Sequence, residues 1–461
     1  MSAHIEAGNR LDRPKRGLPT APFVKIALLL LVSLAVRLAL APVMMNYHDC
    51  KNYISSAHKS VRYGVASTYD QLSDNHVYHG QDNVPLTYPP IHIYLYAIAG
   101  ALYQNLFDSD FRDISAWRQL PFRSVSMNSL IKAPLIVFDL VLALVIFAWV
   151  RKEMGDQRAL LCAALYALNP AILYGGALWA QPDAVHCAFL TLAVVFLAKA
   201  KPAACACFLT LAVLTKPQPV IFVPVIVLLI VTRSNLRQIA LAGLAAGATA
   251  IAVLAPMILN GPGPIVRMVE AISTADTYVS VNAHNFWWLA LSVLRLSPKE
   301  TPDSTVAFAG ITYFALGVSL VLLFYVLAAA RLLKTDNNSL IIETCAYLGW
   351  VFFTFSPRMH ENHAIQVLPL LLLTGLKLRR QRVIFALISL TILINMAAHS
   401  PEIVSDLSSV LVERIRKVNA AVNVAVFVYW AYKINRHPAK VIVAPAGSME
   451  PTLAAAESGS S

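Results

Sequence analysis

Charged side chains are scarce in this chain. They make up 13% of its 461 residues, against 57% that are apolar, where a soluble protein carries about a quarter charged. That shortage excludes a soluble enzyme and a disordered chain. Cysteine is also scarce: six residues, scattered along the sequence, are too few for a disulfide framework and exclude a secreted disulfide scaffold. Five of them (Cys162, Cys187, Cys205, Cys207 and Cys345) fall inside apolar runs, and Cys205-Ala-Cys207 lacks zinc-ligand spacing. Only Cys50 lies in a polar loop. The sequence has no Walker loop, no dinucleotide glycine motif and no Gly-x-Ser-x-Gly in a strand-turn-helix context. It shows no internal repeat and no soluble domain.

What the chain does have is a succession of apolar blocks near the ~20 residues that a bilayer-crossing helix needs. The fold class is therefore all-α, a polytopic membrane protein with about twelve transmembrane helices. The first block, 23-45, is too long for a signal-peptide core and lacks a small-residue cleavage site, so it reads as a retained span. Further spans are expected at 131-150, 159-178, 184-200, 202-216, 218-232, 238-260, 306-330, 340-357, 363-378, 382-399 and 419-434. Residues 202-232, interrupted by Lys216-Pro-Gln-Pro219, read as a hairpin of two short spans. The run Tyr88 to Phe107, which starts Tyr-Pro-Pro, reads as a re-entrant or surface helix that does not cross.

The net charge of +12 would suit nucleic acid, but its placement argues against that partner. Basic residues gather in the short loops of one face, where the expected segments hold 20 Lys and Arg against 7 acids. Bases and acids roughly balance on the other face, so the positive-inside rule puts the N-terminus in the cytoplasm. The expected organisation is a cytoplasmic segment 1-22, one transmembrane domain 23-434 and a cytoplasmic, disordered tail 435-461, rich in Ala, Ser and Gly. The outer face then carries the large loops 46-130 and 261-305, with 400-418 as a surface amphipathic helix. Long polar loops on one face imply chemistry at the outer membrane surface.

Several outer residues suit such chemistry. Asp49 follows the first span, and a carboxylate partly desolvated at the membrane boundary has a raised pKa that favours a general-base role; an ordinary solvated loop acid is the alternative. Trp179-Ala-Gln-Pro-Asp183 ends the third span on the same face. Trp179 and Gln181 could stack on and hydrogen-bond a sugar, with Asp183 a second acid at similar depth. The alternative is an interfacial Trp and a helix-capping Asp. Lys216, at the outer tip of two short spans, breaks the positive-inside trend and suits a phosphate head group, although a snorkelling lysine would also lie there.

Arg358-Met-His-Glu-Asn-His363 packs cation, imidazole and carboxylate into one short turn. Arg358, His360 and Glu361 suit an anion or sugar site, and no full metal-ligand set is visible. Asn282-Ala-His-Asn-Phe-Trp-Trp288, with Asn285 at its centre, fits carbohydrate contact or an aromatic belt. Arg37 and Asp139, inside spans, fit structural pairing within the bundle.

Together these fragments resemble the GT-C superfamily of integral-membrane glycosyltransferases, which use polyprenyl-phosphate sugars. The resemblance runs through most of the chain. It rests on His48-Asp49, Thr87-Tyr-Pro-Pro90, Lys132 with Asp139, Asn169-Pro170 with Trp179-Ala-Gln-Pro-Asp183, Thr215-Lys-Pro-Gln218, Asn282-Ala-His-Asn-Phe-Trp287 and Met359-His-Glu361. Within that superfamily it is similar to bacterial mannosyltransferases related to the second mannosyltransferase of GPI-anchor assembly, and to dolichyl-phosphate-glucose-dependent glucosyltransferases.

The resemblance implies hexose transfer, of mannose or glucose, from a polyprenyl-phosphate donor to a glycan or glycolipid acceptor at the non-cytoplasmic face. It implies Asp49 as base, Lys216 and His360 near the donor phosphate, Tyr88 among the substrate-binding residues and no cofactor. Two departures stand out: the third-span motif, often Trp-Gly-Gln, reads Trp-Ala-Gln, and Asn362 stands where a basic residue often follows His-Glu. The chemistry agrees, because a polyprenyl phosphate is a stable leaving group that asks for one base and for cations, with inversion if the donor is β-linked. The Ala/Leu/Val-rich spans and the lack of a C-terminal retrieval signal favour a bacterial inner membrane over the endoplasmic reticulum. The rival class is a transporter or flippase of a lipid substrate, which would place polar groups near the midplane and often in repeated halves.

Overall fold

The computed structural model describes residues 21–69, 88–113 and 120–436. Thr87, the rest of the 46-130 loop, nearly all of the N-terminal segment and the tail beyond Arg436 lie outside the described residues. The described regular elements are helices, apart from one small hairpin. In chain order they begin with α1 (Ala21–Leu40), α2 (Tyr47–Tyr63), α3 (Pro90–Leu106), α4 (Val125–Met154) and α5 (Asp156–Ala167). Next come α6 (Asp183–Ala198), α7 (Pro202–Val213), α8 (Val223–Arg233), α9 (Leu236–Leu259), α10 (Gly263–Thr274) and α11 (Phe286–Val293). The hairpin of β1 (Val306–Phe308) and β2 (Ile311–Thr312) precedes α12 (Tyr313–Leu332), α13 (Asn338–Phe355), α14 (Val367–Leu373), α15 (Arg379–Ala397) and α16 (Ser409–Arg436). The fold is all-α and polytopic.

Seven helical stretches among the described residues are long and apolar enough to cross a membrane: α1, α4, α5 with its extension to Leu178, α9, α12, α13 and α15. Three shorter apolar helices, Asp183–Ala198, Pro202–Val213 and Gln218–Arg233, occupy further expected spans. Twelve residues of helix reach only about 18 Å, short of the ~30 Å hydrocarbon core. Proline explains the shortness, since Pro202, Pro217, Pro219 and Pro224 start or interrupt these helices. The two remaining expected spans correspond to α14 with its flanking turns and to the second half of α16.

Burial orders the bundle. α13 is its axis, with 83% of its apolar window buried, whereas the windows of α9, α1 and α12 are 11%, 17% and 22% buried. Those three present apolar side chains such as Leu28, Leu244 and Leu322 outward, as helices facing lipid do. Trp149 Nε1 donates to Leu373 O at 3.0 Å, and Arg380 makes two bonds of 2.9 Å to Glu343. Arg233 Nη2 donates to Leu332 O. These contacts tie the basic ends of six helices together.

Three expectations need correction. Residues 306–312 do not open a span, because Ala309 and Gly310 take positive φ (47° and 82°) and turn the chain into the β1–β2 hairpin. Helix α1 stops at Leu40, short of 45, and the carbonyls of Ala41 and Val43 then accept hydrogen bonds from Lys132 Nζ (3.1 and 2.6 Å). Residues 400-418 are not a separate surface helix: a short turn, Pro401–Val404, leads into α16, which runs unbroken from Ser409 through the expected last span. The 88-107 run forms α3, which lies against α2 so closely that a Cβ on Gly100 would meet Ala57 O at 2.8 Å.

Sidedness can be tested directly. Arg382 and Asp406 are exposed at opposite ends of the bundle, and the native cysteines are buried or half-buried. A cysteine placed at 406 should react with an impermeant thiol reagent in intact cells. One at 382 should react only after permeabilisation, and ready labelling there from outside would reverse the orientation.

Candidate active site

Breaks in the helices bring polar side chains to one end of the bundle. Asn46, at φ 55°, caps α2, and its side chain accepts a bond from the backbone N–H of Asp49 (3.5 Å). Asp49 thus occupies the first turn of α2, where the helix dipole favours a carboxylate. After α5, the Asn169 side chain caps Pro170–Ile172, and Leu173–Leu178 widens into a π-helix, a distortion frequent at functional sites. Trp179 and Ala180 follow, Ala180 at φ 67°. This left-handed conformation favours glycine, which gives the Trp-Gly-Gln pattern a backbone reason.

The kink sends Trp179 and Gln181 onto Asp49. Trp179 Nε1 and Gln181 Nε2 both donate to Asp49 Oδ2, at 2.8 and 2.9 Å. Burial pushes the Asp49 carboxyl above the usual carboxylate range, against the Trp179 hydrogen bond and the charges of His48, His360 and Lys216. Asp183, at the start of α6, is buried, and its Oδ1 lies 2.6 Å from Lys216 Nζ. Both side chains are under 5% exposed, so this is a desolvated ion pair and not a snorkelling lysine.

Asn362 joins the two halves. Its Nδ2 donates to Gln181 Oε1 (3.0 Å) and to Asp183 Oδ2 (2.7 Å). A continuous network therefore runs from Asp49 through Gln181 and Asn362 to Asp183 and Lys216. Where the resembled pattern often has a cation, this chain has a bridging amide.

The neighbouring turn adds charge. His360 Nε2 is 2.9 Å from Asp276 Oδ2, and its Nδ1 is 3.8 Å from Glu361 Oε2. Burial opposes the charged form of His360, but Asp276 and Glu361 outweigh it and raise its pKa. Glu361 is buried, and its Oε2 has no hydrogen-bond partner among the described residues. Burial raises its pKa, against the charge of His360, and the charge of Asp49 raises it further.

Other expected residues lie outside the network. Arg358 Nε pairs with Asp303 Oδ2 at 2.5 Å, and Arg358 Nη1 donates to Ser273 O at 2.8 Å. Asn285 is buried as the cap of α11: its Oδ1 accepts from Trp287 N and Trp288 N, and its Nδ2 donates to Phe353 O. Tyr88 packs edge-on against His92 and lies 3.4 Å, oxygen to oxygen, from Tyr53. Burial raises the Tyr88 pKa, and the Asp49 charge adds to it. Arg37 and Asp139 pair at 3.2 Å, with Tyr166 donating to Asp139 at 2.8 Å, as a structural pair within the bundle would.

Sequence reasoning missed the partners. Asp276 carried no signal in its loop, and Asn362 registered only as a departure from a pattern. Among the described residues no group of three or more His, Cys, Asp or Glu side chains is placed to hold a metal ion.

Fold and site together define a polytopic, all-α membrane protein with a hydrogen-bonded ionisable network at one end of its bundle. The chain is similar to two solved structures of ArnT from Cupriavidus metallidurans, one in the apo state and one bound to undecaprenyl phosphate. Each is 14% identical over 90% of this chain and 77% of the ArnT chain, with TM-scores of 0.49 and 0.44. Likeness at that level assigns neither substrate nor reaction here. No protein-family profile and no curated protein matches the chain.

Proposed function

We propose that the protein is a GT-C-type glycosyltransferase that moves a hexose, mannose or glucose, from a polyprenyl-phosphate donor to a lipid-linked or membrane-associated glycan. The observation that carries this reading is the Asp49 carboxylate. Both of its described hydrogen bonds fall on Oδ2, which leaves Oδ1 to accept a proton from an acceptor hydroxyl. Its raised pKa makes it a better base than a solvated aspartate.

In this scheme the acceptor oxygen attacks the anomeric carbon as the bond to the donor phosphate breaks. Asp49 takes the hydroxyl proton, and the phosphate leaves with the bonding pair. Attack in line with a β-linked donor gives an α-glycoside. Lys216 and His360 stabilise the departing phosphate, with no general acid required. A phosphate arriving at Lys216 competes with Asp183, whose other oxygen Asn362 continues to hold. Trp179 and Gln181 fix Asp49, and Glu361 Oε2, which has no described hydrogen-bond partner, accepts from a sugar hydroxyl.

The test is incubation of the purified protein with radiolabelled polyprenyl-phosphate mannose or glucose and membrane acceptors. Label should pass to a glycan or glycolipid, with release of polyprenyl phosphate. Movement of intact labelled lipid between leaflets without transfer would instead establish a flippase.

A further inference from the structure

The junction leading into α16 is not used by the glycosyl-transfer scheme, yet it holds a large groove. Val404, Leu407 and the first turns of α16 border an open groove of about 740 Å³. Part of its lining is apolar, supplied by Val404, Leu407, Val410 and Val412. Leu407 and Val410 remain 41% and 61% exposed, a state that water does not favour. The same turns carry Arg414, Arg416 and Lys417, with Glu413 the one acid lining the groove.

The cations are poorly neutralised. Glu413 lies 3.8 Å from Arg416 Nη1 and 3.6 Å from Lys417 Nζ, too far for a good hydrogen bond. Arg416 spends Nη2 on Ala398 O (2.9 Å), while its buried Nε has no partner among the described residues. Arg416 also lies 5.9 Å from the Trp288 ring, whose buried Nε1 likewise lacks a described partner. Donors are thus in surplus and acceptors in deficit.

Position decides what could supply the acceptors. Glu402 Oε1, beside the groove, accepts from Asn46 N at 2.8 Å, so the groove opens at the same end of the bundle as Asp49. At that end the lipid-facing helices finish, and apolar side chains interleaved with cations match an amphiphile with an anionic head. A free anion would leave the apolar lining wet, and a neutral lipid would leave the cations uncompensated.

We propose that this groove holds the phosphate headgroup of an anionic membrane lipid. Acyl chains lie along Val404, Leu407 and Val410, and the phosphate oxygens accept from Arg416, with Arg414 and Lys417 completing the charge. The site is separate from the Asp49 network and does not depend on the proposed transfer reaction.

The test uses delipidated full-length protein in detergent, titrated with phosphatidylglycerol, phosphatidylcholine or inorganic phosphate and read by native mass spectrometry. Phosphatidylglycerol should bind at least about tenfold more tightly than phosphatidylcholine, the difference expected of one headgroup charge meeting several cations. Arg414→Gln with Lys417→Gln should weaken phosphatidylglycerol roughly 30-fold, two basic residues each acting at lipid-surface strength. That pair leaves the Arg416 bond to Ala398 intact, so folding is preserved; Arg416→Lys should retain most of the binding. Equal affinity for both lipids, or an unchanged double variant, would overturn the proposal. Displacement of the lipid by equimolar inorganic phosphate would make the ligand a free anion. Mutually exclusive lipid binding and self-association would give the groove to a second copy of the chain.

Discussion

Asp49→Asn should lower turnover by about 10²–10⁴-fold, the loss typical of removing a general base, while donor affinity stays near normal. The substitution keeps an oxygen to accept from Trp179 and Gln181, whose nitrogens are 2.8 and 2.9 Å from Oδ2, so the network should hold its shape. What disappears is the basic lone pair on the other oxygen. The pH profile gives an independent check. Because burial raises the Asp49 pKa, the acid limb of kcat/KM should lie above the usual carboxylate range, with activity rising as pH rises through it. Trp179→Phe removes a hydrogen bond that lowers this pKa, so its acid limb should move to higher pH. Glu361 is the internal control. If Glu361→Gln abolishes turnover while Asp49→Asn retains most of it, the base is Glu361.

How far the sequence leads depends on whether a residue acts locally or through a distant partner. The long helices were legible because their apolar runs approach the ~20 residues that a bilayer-crossing helix needs; in the structure Gly155 ends α4 and an Asn235–Gln238 capping box opens α9. Helix α14 was only partly legible: its apolar run is buried on all sides, and composition does not separate burial in protein from burial in lipid. The β1–β2 hairpin escaped because Val-Ala-Phe and Ile-Thr are as apolar as a span, and two turn residues alone reverse the chain.

At the site, Asp49, Trp179, Gln181 and Lys216 stood out as polar residues at the ends of apolar runs, which is a local property. That Trp179 and Gln181 grip Asp49 across about 130 positions is not local, and no spacing rule expresses it. Asn285 shows the reverse. An Asn just before Phe-Trp-Trp is an ordinary helix cap, and the structure uses it as one.

The pairing of Asp183 with Lys216 carries the other large effect. Removing one partner of a buried ion pair strands the other without compensation, and typically costs ~3–5 kcal/mol. Lys216→Met leaves Asp183 with Asn362 and the more distant His186, 3.7 Å away, as its described side-chain neighbours. Asp183→Asn leaves an ammonium under 5% exposed. Either variant alone should therefore lower thermal stability and yield of folded protein. The combined Asp183→Asn/Lys216→Met variant should recover most of that loss. Its amide at position 183 keeps an oxygen for Asn362, and no uncompensated charge remains buried.

Stability and function then separate in the rescued protein. If Lys216 is only structural, the double variant should bind donor and turn over like the parent. If Lys216 leaves Asp183 to meet the donor phosphate, the rescued protein should bind donor more weakly by about 1.5–3 kcal/mol, the worth of a hydrogen bond to a charged group. The Arg37–Asp139 pair supplies the comparison. It is equally buried, with Tyr166 as a further partner, and although Asp139 lines one small cavity with Gln181 and Asp183, no described hydrogen bond joins the pair to the Asp49 network. Arg37→Met should match Lys216→Met in lost stability, while the molecules that still fold keep full donor affinity. Equal donor affinity in the rescued Lys216 variant and in the Arg37 variant would remove Lys216 from the phosphate site.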